Sequence, residues 1–479
     1  MQRGLERGRL WWWAAVCAIA LAGLALRIVA ARGGLWTDEA WSVIYAAQAR
    51  DPLGVFLRIN HDNNHHLYSL WLQAIGPGAP PLLARAPAIA AGTACVIVAA
   101  LFAGRRSEVA GLAAALFFAV SPMLVVLGSE ARGYAMMLAA ALLLLLLVGD
   151  AVDGRPVRGA GGWLAALAVL GMFSHMTMAA PVAIAAIWFY LERRTEVGPR
   201  TALSATLRLM GPALLATAAV VVFVLTAGVL SPTGMRLGGY EPFSAPHFAI
   251  ALNDLTLWSV GLGSAWRWIV PILVGGIALA IGVLQPKWLG SRARLYALLI
   301  LAVPLGAGLV HAGNTNFARY YLTSAVGLLL LTADAVARGF ATRPVFRAAA
   351  LVLAGVILGL GLYRDSLIVS VGRGRPAAPV ADMAALSPGG ARIGFRQPRL
   401  KGVIAVAAEE AGYAARFAGG CDRADFLLAV QLRWSPPLPR TTTRCEVQMD
   451  AIDLSTTIPI TGDSWVLYRA KSLAKPQGR

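Results

Sequence analysis

The sequence predicts an all-α polytopic membrane domain of about eleven transmembrane helices, followed by a small α/β domain outside the membrane. Of the 479 residues, 58% are hydrophobic and only 14% are charged, and the mean hydropathy is +0.65. Soluble domains carry roughly a quarter charged residues. The apolar residues fall into many runs of roughly 15–25 residues, which is the pattern of repeated bilayer crossings. Beyond about residue 363 the apolar runs shorten, and Pro, Gly and Arg become more frequent.

Eleven apolar segments are predicted to cross the membrane. They cover about residues 11–31, 82–103, 108–127, 133–149, 161–174, 177–192, 205–230, 268–285, 296–310, 322–337 and 348–363. The first is not interpreted as a signal peptide, because it is too long, contains Arg27 and is not followed by a cleavage site. The fifth and sixth segments are predicted to turn at Ser174-His175-Met176, since a single helix of about 30 residues is too long for one crossing.

The distribution of positive charge predicts the orientation of the chain. The net charge is +18, and only four of the 42 basic residues are Lys. One alternating set of loops holds seventeen Lys and Arg residues, and the opposite set holds eight. These eight are Arg32, Arg50, Arg58, Arg85, Arg132, Arg236, Arg267 and Arg319. Because Lys and Arg accumulate in cytosolic loops, we predict a cytoplasmic (inner) membrane protein with a cytosolic N-terminus and an extracytoplasmic C-terminal domain. The charge therefore indicates a membrane, and no nucleic-acid partner is expected.

Two domains follow from this organisation. Residues 1–363 form the predicted membrane domain, with two long outer loops at about 32–80 and 230–267. Residues 364–479 form the predicted soluble domain, with strands at Ala391–Phe395, Phe426–Leu432, Cys445–Leu454 and Trp465–Tyr468 and a helix at Gly402–Arg416. Its two cysteines, Cys421 and Cys445, are placed where disulfides persist, and the alternative is a pair of free thiols.

The first outer loop concentrates polar and acidic side chains. Asp38 and Glu39 follow the first span directly, and the alternative interpretation is a solvated helix start with Thr37 as its N-cap. The loop continues to His61-Asp62-Asn63-Asn64-His65-His66-Leu67-Tyr68. If this segment were helical, His61 and His65 would share a face, as metal ligands can. The Asn neighbours favour a second interpretation, in which the cluster binds a polar ligand through hydrogen bonds.

Three arginines lie at the predicted outer ends of spans. Arg85 precedes the second span, Arg132 the fourth, and Arg319 the tenth. Such residues often extend their guanidinium groups to the lipid headgroups. However, arginines are disfavoured on the outer side, and a guanidinium fork binds phosphate through two hydrogen bonds. We therefore predict an anion site. His175, at the turn between the fifth and sixth spans, is a weaker candidate.

Together these motifs resemble the GT-C membrane glycosyltransferases. The resemblance is carried by Asp38-Glu39, by His66-Leu67-Tyr68, by Glu130-Ala131-Arg132-Gly133-Tyr134 and by Arg319-Tyr320. The most similar group (family 39-like) contains the protein O-mannosyltransferases, the bacterial aminoarabinose transferases and the Rhizobium core galacturonosyltransferases. The order and spacing of the motifs cover roughly residues 10–340. The C-terminal domain shows no such resemblance.

The resemblance implies that a sugar is transferred from a polyprenyl-phosphate donor to an acceptor hydroxyl on the outer face, with inversion. It places the catalytic carboxylate at Asp38, with Glu39 as its neighbour. The predicted substrate-binding residues are His65, His66, Tyr68, Arg85, Arg132, Tyr134, His175, Arg319 and Tyr320. The acceptor class stays open between a lipid, a polysaccharide and a protein. No cofactor is expected, and a divalent metal is not indicated.

The chain departs from the family pattern in two places. The His-Pro-Tyr-type element of the family is His-His-Leu-Tyr here, and the lysines that some members place at the donor phosphate are absent, so that Arg must replace them. Two alternatives also stay open. One is a transporter or flippase of lipid-linked sugars, and the other is a glycan polymerase or ligase.

Overall fold

A computed structural model describes most of the chain. It leaves out residues 1, 62, 156, 232–233, 236–240, 373–375, 432–435, 456–459, 461–463 and 473–479, and for 2–9 and 455 it describes the backbone only. Asp62, Arg236 and Leu432, which entered the sequence predictions, therefore lie outside the described residues.

The membrane-predicted part is helical. Its α-helices are α1 Gln2–Ala30, α2 Thr37–Gln48, α3 Pro52–Leu57, α4 His66–Ile75, α5 Pro81–Ala84, α6 Ala86–Gly104, α7 Glu108–Val120, α8 Pro122–Leu127, α9 Tyr134–Val152, α10 Ala160–Ser174, α11 Ala179–Val197, α12 Pro199–Leu230, α13 Ala245–Val260, α14 Ile269–Leu284, α15 Arg292–Leu309, α16 Leu322–Phe340 and α17 Pro344–Val371. Short 3-10 turns at Met176–Met178 and Ala318–Tyr321 precede α11 and α16.

The eleven predicted spans fall on these helices, but the third, 108–127, is divided at Ser121 into α7 and α8. Among the described residues, seven helices are long and apolar enough to cross a membrane by length and composition. Three further predicted spans lie on the shorter apolar helices α7, α10 and α14, and the remaining one lies on α11. The predicted turn at Ser174-His175-Met176 is confirmed, because α10 ends at Ser174 and a 3-10 turn begins at Met176. The chain is a multi-pass membrane protein.

The chain divides into two compact units. Unit 1 comprises Met1–Ile28, Phe56–Tyr68 and Ala86–Asp365, and unit 2 comprises Val29–Val55, Ser69–Arg85 and Ser366–Arg479. Most of the first outer loop therefore belongs to the same unit as the C-terminal domain. This grouping differs from the predicted division, which assigned the whole loop to the membrane domain.

Arg27 holds part of unit 1 together. Its side chain is fully buried, and its guanidinium donates to the carbonyl oxygens of Gly23 and Phe118, each at 3.0 Å. A buried cation is costly unless its donors are satisfied. These bonds satisfy two of the three nitrogens of the guanidinium, whereas the buried Nε has no hydrogen-bond partner among the described residues.

Unit 2 contains the predicted α/β domain. It begins with α18 Ala377–Leu386, and a six-stranded sheet follows, with α19 Leu400–Glu410 inserted between its first two strands. The strands are β1 Ala391–Phe395, β2 Ala415–Phe417, β3 Phe426–Gln431, β4 Thr441–Arg444, β5 Val447–Ser455 and β6 Ser464–Ala470, in the spatial order β2-β1-β3-β6-β5-β4. The strand β1 pairs in parallel with β2 and β3, whereas the other neighbours are antiparallel.

The two faces of the sheet carry separate apolar layers, because successive side chains of a strand point to opposite faces. One layer contains Ile393, Phe426, Leu428 and Leu467 and packs with residues of α18 and α19. The other layer contains Leu427, Ala429, Met449, Val466 and Tyr468.

The predicted helix Gly402–Arg416 is wrong at its end. The helix stops at Glu410, and Ala415–Phe417 form the edge strand β2. Gly412 adopts φ +62°, and the following amide of Tyr413 donates to the Ala408 carbonyl at 2.8 Å. A glycine with positive φ directly after the last turn is a common helix stop.

Cys421 and Cys445 form a disulfide, with their Cα atoms 5.4 Å apart. Cys445 does not begin a strand, as predicted, but lies with Glu446 in the turn between β4 and β5. Both residues have positive φ, at 47° and 70°, which is the conformation of a tight hairpin turn. The bridge is possible because β3 and β5 both run antiparallel to β6, which lies between them. The two strands therefore begin at the same edge of the sheet, and each cysteine precedes one of them.

Candidate active site

The predicted carboxylate pair lies at the start of α2 in unit 2. The N-cap is Trp36 and not the predicted Thr37, which is the first helical residue. Glu39 reaches back to accept a hydrogen bond from the Trp36 amide at 3.1 Å, and an acidic side chain in the first turn is favoured by the helix dipole. The Asp38 side chain is half-buried, and its main-chain carbonyl accepts the Ser42 hydroxyl at 2.8 Å.

Glu39 forms a buried ion pair with Arg85. Both side chains are fully buried, and the Arg85 Nε and Nη2 atoms lie 2.9 and 2.6 Å from the two carboxylate oxygens of Glu39. Arg85 also donates to the carbonyls of Ala31 and Gly33 through Nη1, at 2.6 and 2.8 Å, and to that of Gly34 through Nη2, at 2.8 Å. These five bonds match the five donors of a guanidinium.

The geometry therefore gives Arg85 a role that the sequence did not predict. It connects the segment between α1 and α2 to the second residue of the acidic pair. A guanidinium whose five donors are already used has no donor left for a phosphate. Arg85 is therefore not assigned to the donor phosphate, in contrast to the prediction from the sequence.

A second group of predicted residues meets in unit 1, where Arg132 is nearly fully buried. Its Nε donates to His65 Nε2 at 3.2 Å, and its Nη2 donates to the side-chain oxygen Oδ1 of Asn63 at 2.7 Å. The guanidinium carbon lies 5.1 Å from the centre of the Tyr134 ring, within the range of a cation–π contact. Asn63 was not among the predicted site residues, although it lies in the polar cluster of the first outer loop.

Gly133 explains why this motif packs so closely. A methyl group at Gly133 would lie 1.9 Å from the Ser174 carbonyl oxygen and 3.2 Å from Cβ of His65. A residue with a side chain would therefore push the start of α9 away from the turn after α10. The absence of a side chain at Gly133 allows Arg132 and Tyr134 to lie beside His65 and His175.

The imidazole rings of this group are stacked. The His65 and His175 rings are 4.9 Å apart at 26°, and the Tyr134 and His175 rings are 4.2 Å apart. The ring of His175 also accepts a hydrogen bond through Nδ1 from the Thr177 amide at 3.2 Å. Residues from three separate parts of the sequence are thus assembled around one histidine.

Arg132 and Arg319 both influence His175. Burial, followed by the charges of Arg132 and Arg319, lowers the pKa of His175 to about 3. Burial, followed by the charge of Arg132, also holds the pKa of His65 well below its ordinary value. The two imidazoles are therefore neutral at pH 7. Of the two arginines, Arg132 also contacts the cluster directly, through His65 and Tyr134.

His66, Tyr68 and Tyr320 complete the predicted residues. His66 stacks on Phe56 with ring centres 5.3 Å apart, and burial lowers the pKa of His66 to about 4. Tyr68 is buried in the core of unit 1. The Arg319 guanidinium lies 5.6 Å from the ring of Tyr320 and 4.6 Å from that of Phe317.

The interpretation of His61 and His65 as two metal ligands on one helix face is wrong. Helix α4 begins at His66, so His61 and His65 do not share a helix face. Within the part of the chain that the structure describes, no group of three or more His, Cys, Asp or Glu side chains is placed to hold a metal ion.

The structure thus assembles the predicted residues into two groups. Asp38, Glu39 and Arg85 lie in unit 2, whereas the histidines, Arg132, Tyr134, Arg319 and Tyr320 lie in unit 1. Within unit 1, His65, Arg132, Tyr134 and His175 are in mutual contact.

Comparison with known proteins identifies the fold. No protein-family model and no curated protein matches the sequence. Among solved structures, ArnT from Cupriavidus metallidurans in the apo state matches 98% of this chain and 100% of its own, with a TM-score of 0.50 and 14% identity. ArnT bound to undecaprenyl phosphate matches with a TM-score of 0.48 and 15% identity, over 97% of this chain and 99% of its own.

A second solved protein is the oligosaccharyltransferase of Archaeoglobus fulgidus in complex with Zn and sulfate. It matches 87% of this chain and 68% of its own, with a TM-score of 0.52 and 12% identity. The chain therefore has the GT-C fold of membrane glycosyltransferases, as the sequence motifs implied. At these identities the comparison establishes the fold, and the chemistry has to be argued from the residues.

Proposed function

We propose that the protein is a glycosyltransferase that moves a sugar from a polyprenyl-phosphate donor to an acceptor hydroxyl on the outer face of the cytoplasmic membrane. The observation that carries this proposal is the packing of Arg132 with His65, Tyr134 and His175. A guanidinium group beside neutral imidazoles suits a phosphate, and the charge of Arg319 also acts on His175. ArnT of C. metallidurans, whose apo structure shares the fold, has also been solved bound to undecaprenyl phosphate.

In this proposal Asp38 is the general base. An acceptor hydroxyl is a weak nucleophile at neutral pH, and a carboxylate within hydrogen-bond distance takes its proton as it attacks the anomeric carbon. The leaving group is the polyprenyl phosphate, whose developing negative charge Arg132 and Arg319 stabilise. Attack opposite the leaving phosphate gives inversion. Glu39 does not act on the acceptor, because both of its oxygens are bonded to Arg85.

The test is sugar transfer by the purified protein in lipid vesicles. A synthetic polyprenyl-phosphate sugar serves as donor, and candidate lipid, polysaccharide and peptide acceptors are tried in parallel. Asp38→Asn keeps the size of the side chain, and it should lower kcat by about 10²-fold or more, since that is the typical contribution of a general base. Retention of more than about a tenth of the wild-type kcat would exclude this role for Asp38. Movement of the intact donor across the bilayer without transfer would instead support the transporter alternative.

A further inference from the structure

The helix that carries Asp38 packs against the C-terminal domain within unit 2. The indole N–H of Trp41, on α2, donates to the main-chain carbonyl of Arg399 at 2.7 Å. Arg399 is the N-cap of α19. Trp41 follows Asp38 by three positions, and residues at this spacing are neighbours on a helix surface. The position of the Trp41 side chain is therefore coupled to the rotation of α2 about its own axis.

A glycine of α19 makes this contact possible. A methyl group at Gly402 would lie 2.9 Å from Cε2 and 3.1 Å from Cδ2 of Trp41, and 3.1 Å from Cδ1 of Ile44. The indole is rigid, so that it cannot move aside as the end of a flexible side chain does. Either α2 or α19 would have to shift to accept any side chain at this position.

The start of α2 meets the same domain at a second place. Trp36 and Thr37 line an apolar cleft together with Leu400 and Val403 of α19 and Trp465 of β6. The residues on both sides of Asp38 are thus in contact with the C-terminal domain. A short helix of 12 residues is marginal by itself, and its orientation depends on such packing.

We propose that Trp41 and Gly402 are positioning residues for the transfer reaction, and that α19 of the C-terminal domain sets the direction of the Asp38 carboxylate. This inference depends on the proposed function, because it concerns the geometry of the proposed general base. It gives the C-terminal domain a part in catalysis through α2, without supplying a reacting group. A displacement of about 1 Å at a reacting group can lower a rate by 10²-fold.

The experiment uses the full-length protein in vesicles and the variant Gly402→Ala. Alanine favours a helix over glycine by roughly 0.5–1 kcal/mol, so that a loss of activity cannot come from a lower helix propensity of α19. Gly389→Ala, in the same domain, is the matched control, because a methyl group there meets no atom within 4 Å. We expect Gly402→Ala to lower kcat about tenfold or more while leaving the affinity for polyprenyl phosphate unchanged, and Gly389→Ala to behave as the wild type.

A double-mutant cycle with Trp41→Leu shows whether the loss passes through the indole. In the Trp41→Leu background, Gly402→Ala should cost less than about twofold in kcat, because the methyl group no longer meets a ring. Trp41→Phe removes the hydrogen bond to Arg399 and part of the ring, and it should give an intermediate loss. The thermal unfolding temperature of the C-terminal domain, compared with that of the wild type, reports whether the domain of each variant is folded.

The outcomes separate the two proposals. If the wild-type protein transfers no sugar, the proposed function fails, and the inference fails with it. If the wild type and Gly389→Ala transfer sugar and Gly402→Ala does so with the same kcat, the positioning role alone is refuted. Equal losses from Gly402→Ala in both backgrounds, or a parallel loss of affinity for polyprenyl phosphate, would also refute it.

Discussion

Replacing Glu39 by Gln should destabilise the start of α2 severely. The carboxylate and the Arg85 guanidinium are both fully buried, with the closest nitrogen and oxygen 2.6 Å apart. Glu39→Gln keeps the shape of the side chain but leaves the charge of Arg85 without its partner. Removing one member of a buried ion pair typically costs about 3–5 kcal/mol. This is a large fraction of the total stability of roughly 5–15 kcal/mol that a folded protein has.

The effect can be measured locally by amide hydrogen exchange. The Ala40 amide, which donates to the Trp36 carbonyl at 2.9 Å, exchanges when the first turn of α2 opens. A loss of about 3–5 kcal/mol corresponds to an increase in its exchange rate of between roughly 10²-fold and several thousand-fold, at about 1.4 kcal/mol for each factor of ten.

A surface ion pair provides the control. Glu196 lies 2.6 Å from Arg193, but its side chain is 54% exposed, and pairs of this kind contribute about 0–1 kcal/mol. Glu196→Gln should therefore change the exchange rates around it by less than about tenfold. If Glu39→Gln accelerates exchange of the Ala40 amide no more than Glu196→Gln does for its own helix, the structural role of the buried pair is refuted.

Three further predictions concern other parts of the molecule. Arg132→Lys and Arg319→Lys should each weaken binding of polyprenyl phosphate by about tenfold or more, because an ammonium cannot reproduce a guanidinium fork; unchanged affinity in a direct binding titration would contradict this. Cys421→Ser should lower the stability of the C-terminal domain by roughly 3 kcal/mol in the chain-entropy model, measured by thermal unfolding and by the newly available thiol of Cys445. Because the pKa of His175 falls from its ordinary 6.5 to about 3 on folding, its neutral form should stabilise the protein above pH 6.5, and this stability should be lost as the pH falls towards 3. His175→Gln, which cannot take up the proton, should show a weaker dependence of the melting temperature on pH.

Hydropathy predicted the membrane part of the fold well, because a bilayer constrains it strongly. Every span must satisfy its own backbone hydrogen bonds and be long enough to cross the apolar layer. The turn at His175 was predicted only from the length of the apolar stretch, which is too long for one crossing. In unit 2 no such constraint acts, and the pairing of β3 with β6 rather than with β5 depends on residues distant in sequence. The short strands β2 and β4 have three and four residues, and such segments carry little periodic signal.

In the candidate site, too, contacts between residues that are distant in sequence could not be predicted. The motifs located Asp38, Arg132 and Arg319, but they did not reveal which partner each charge would have. Arg85 and Glu39 are 46 positions apart, and only the folded chain brings them together. No sequence pattern connects Trp41 with Gly402, which lies beyond the predicted boundary between the two domains.

The contrast between Arg85 and Arg132 explains why one arginine is assigned to structure and the other to the donor. Arg85 is bonded to a carboxylate, which cancels its charge, and to three carbonyls. Arg132 donates to a neutral imidazole and to a side-chain amide oxygen, and these two bonds fix the orientation of its guanidinium group. The low pKa values of His65 and His175 keep these neighbours neutral, since a second cation beside Arg132 would be unfavourable. In our proposal the Arg132 guanidinium, held in this orientation, and Arg319 bind the phosphate of the sugar donor.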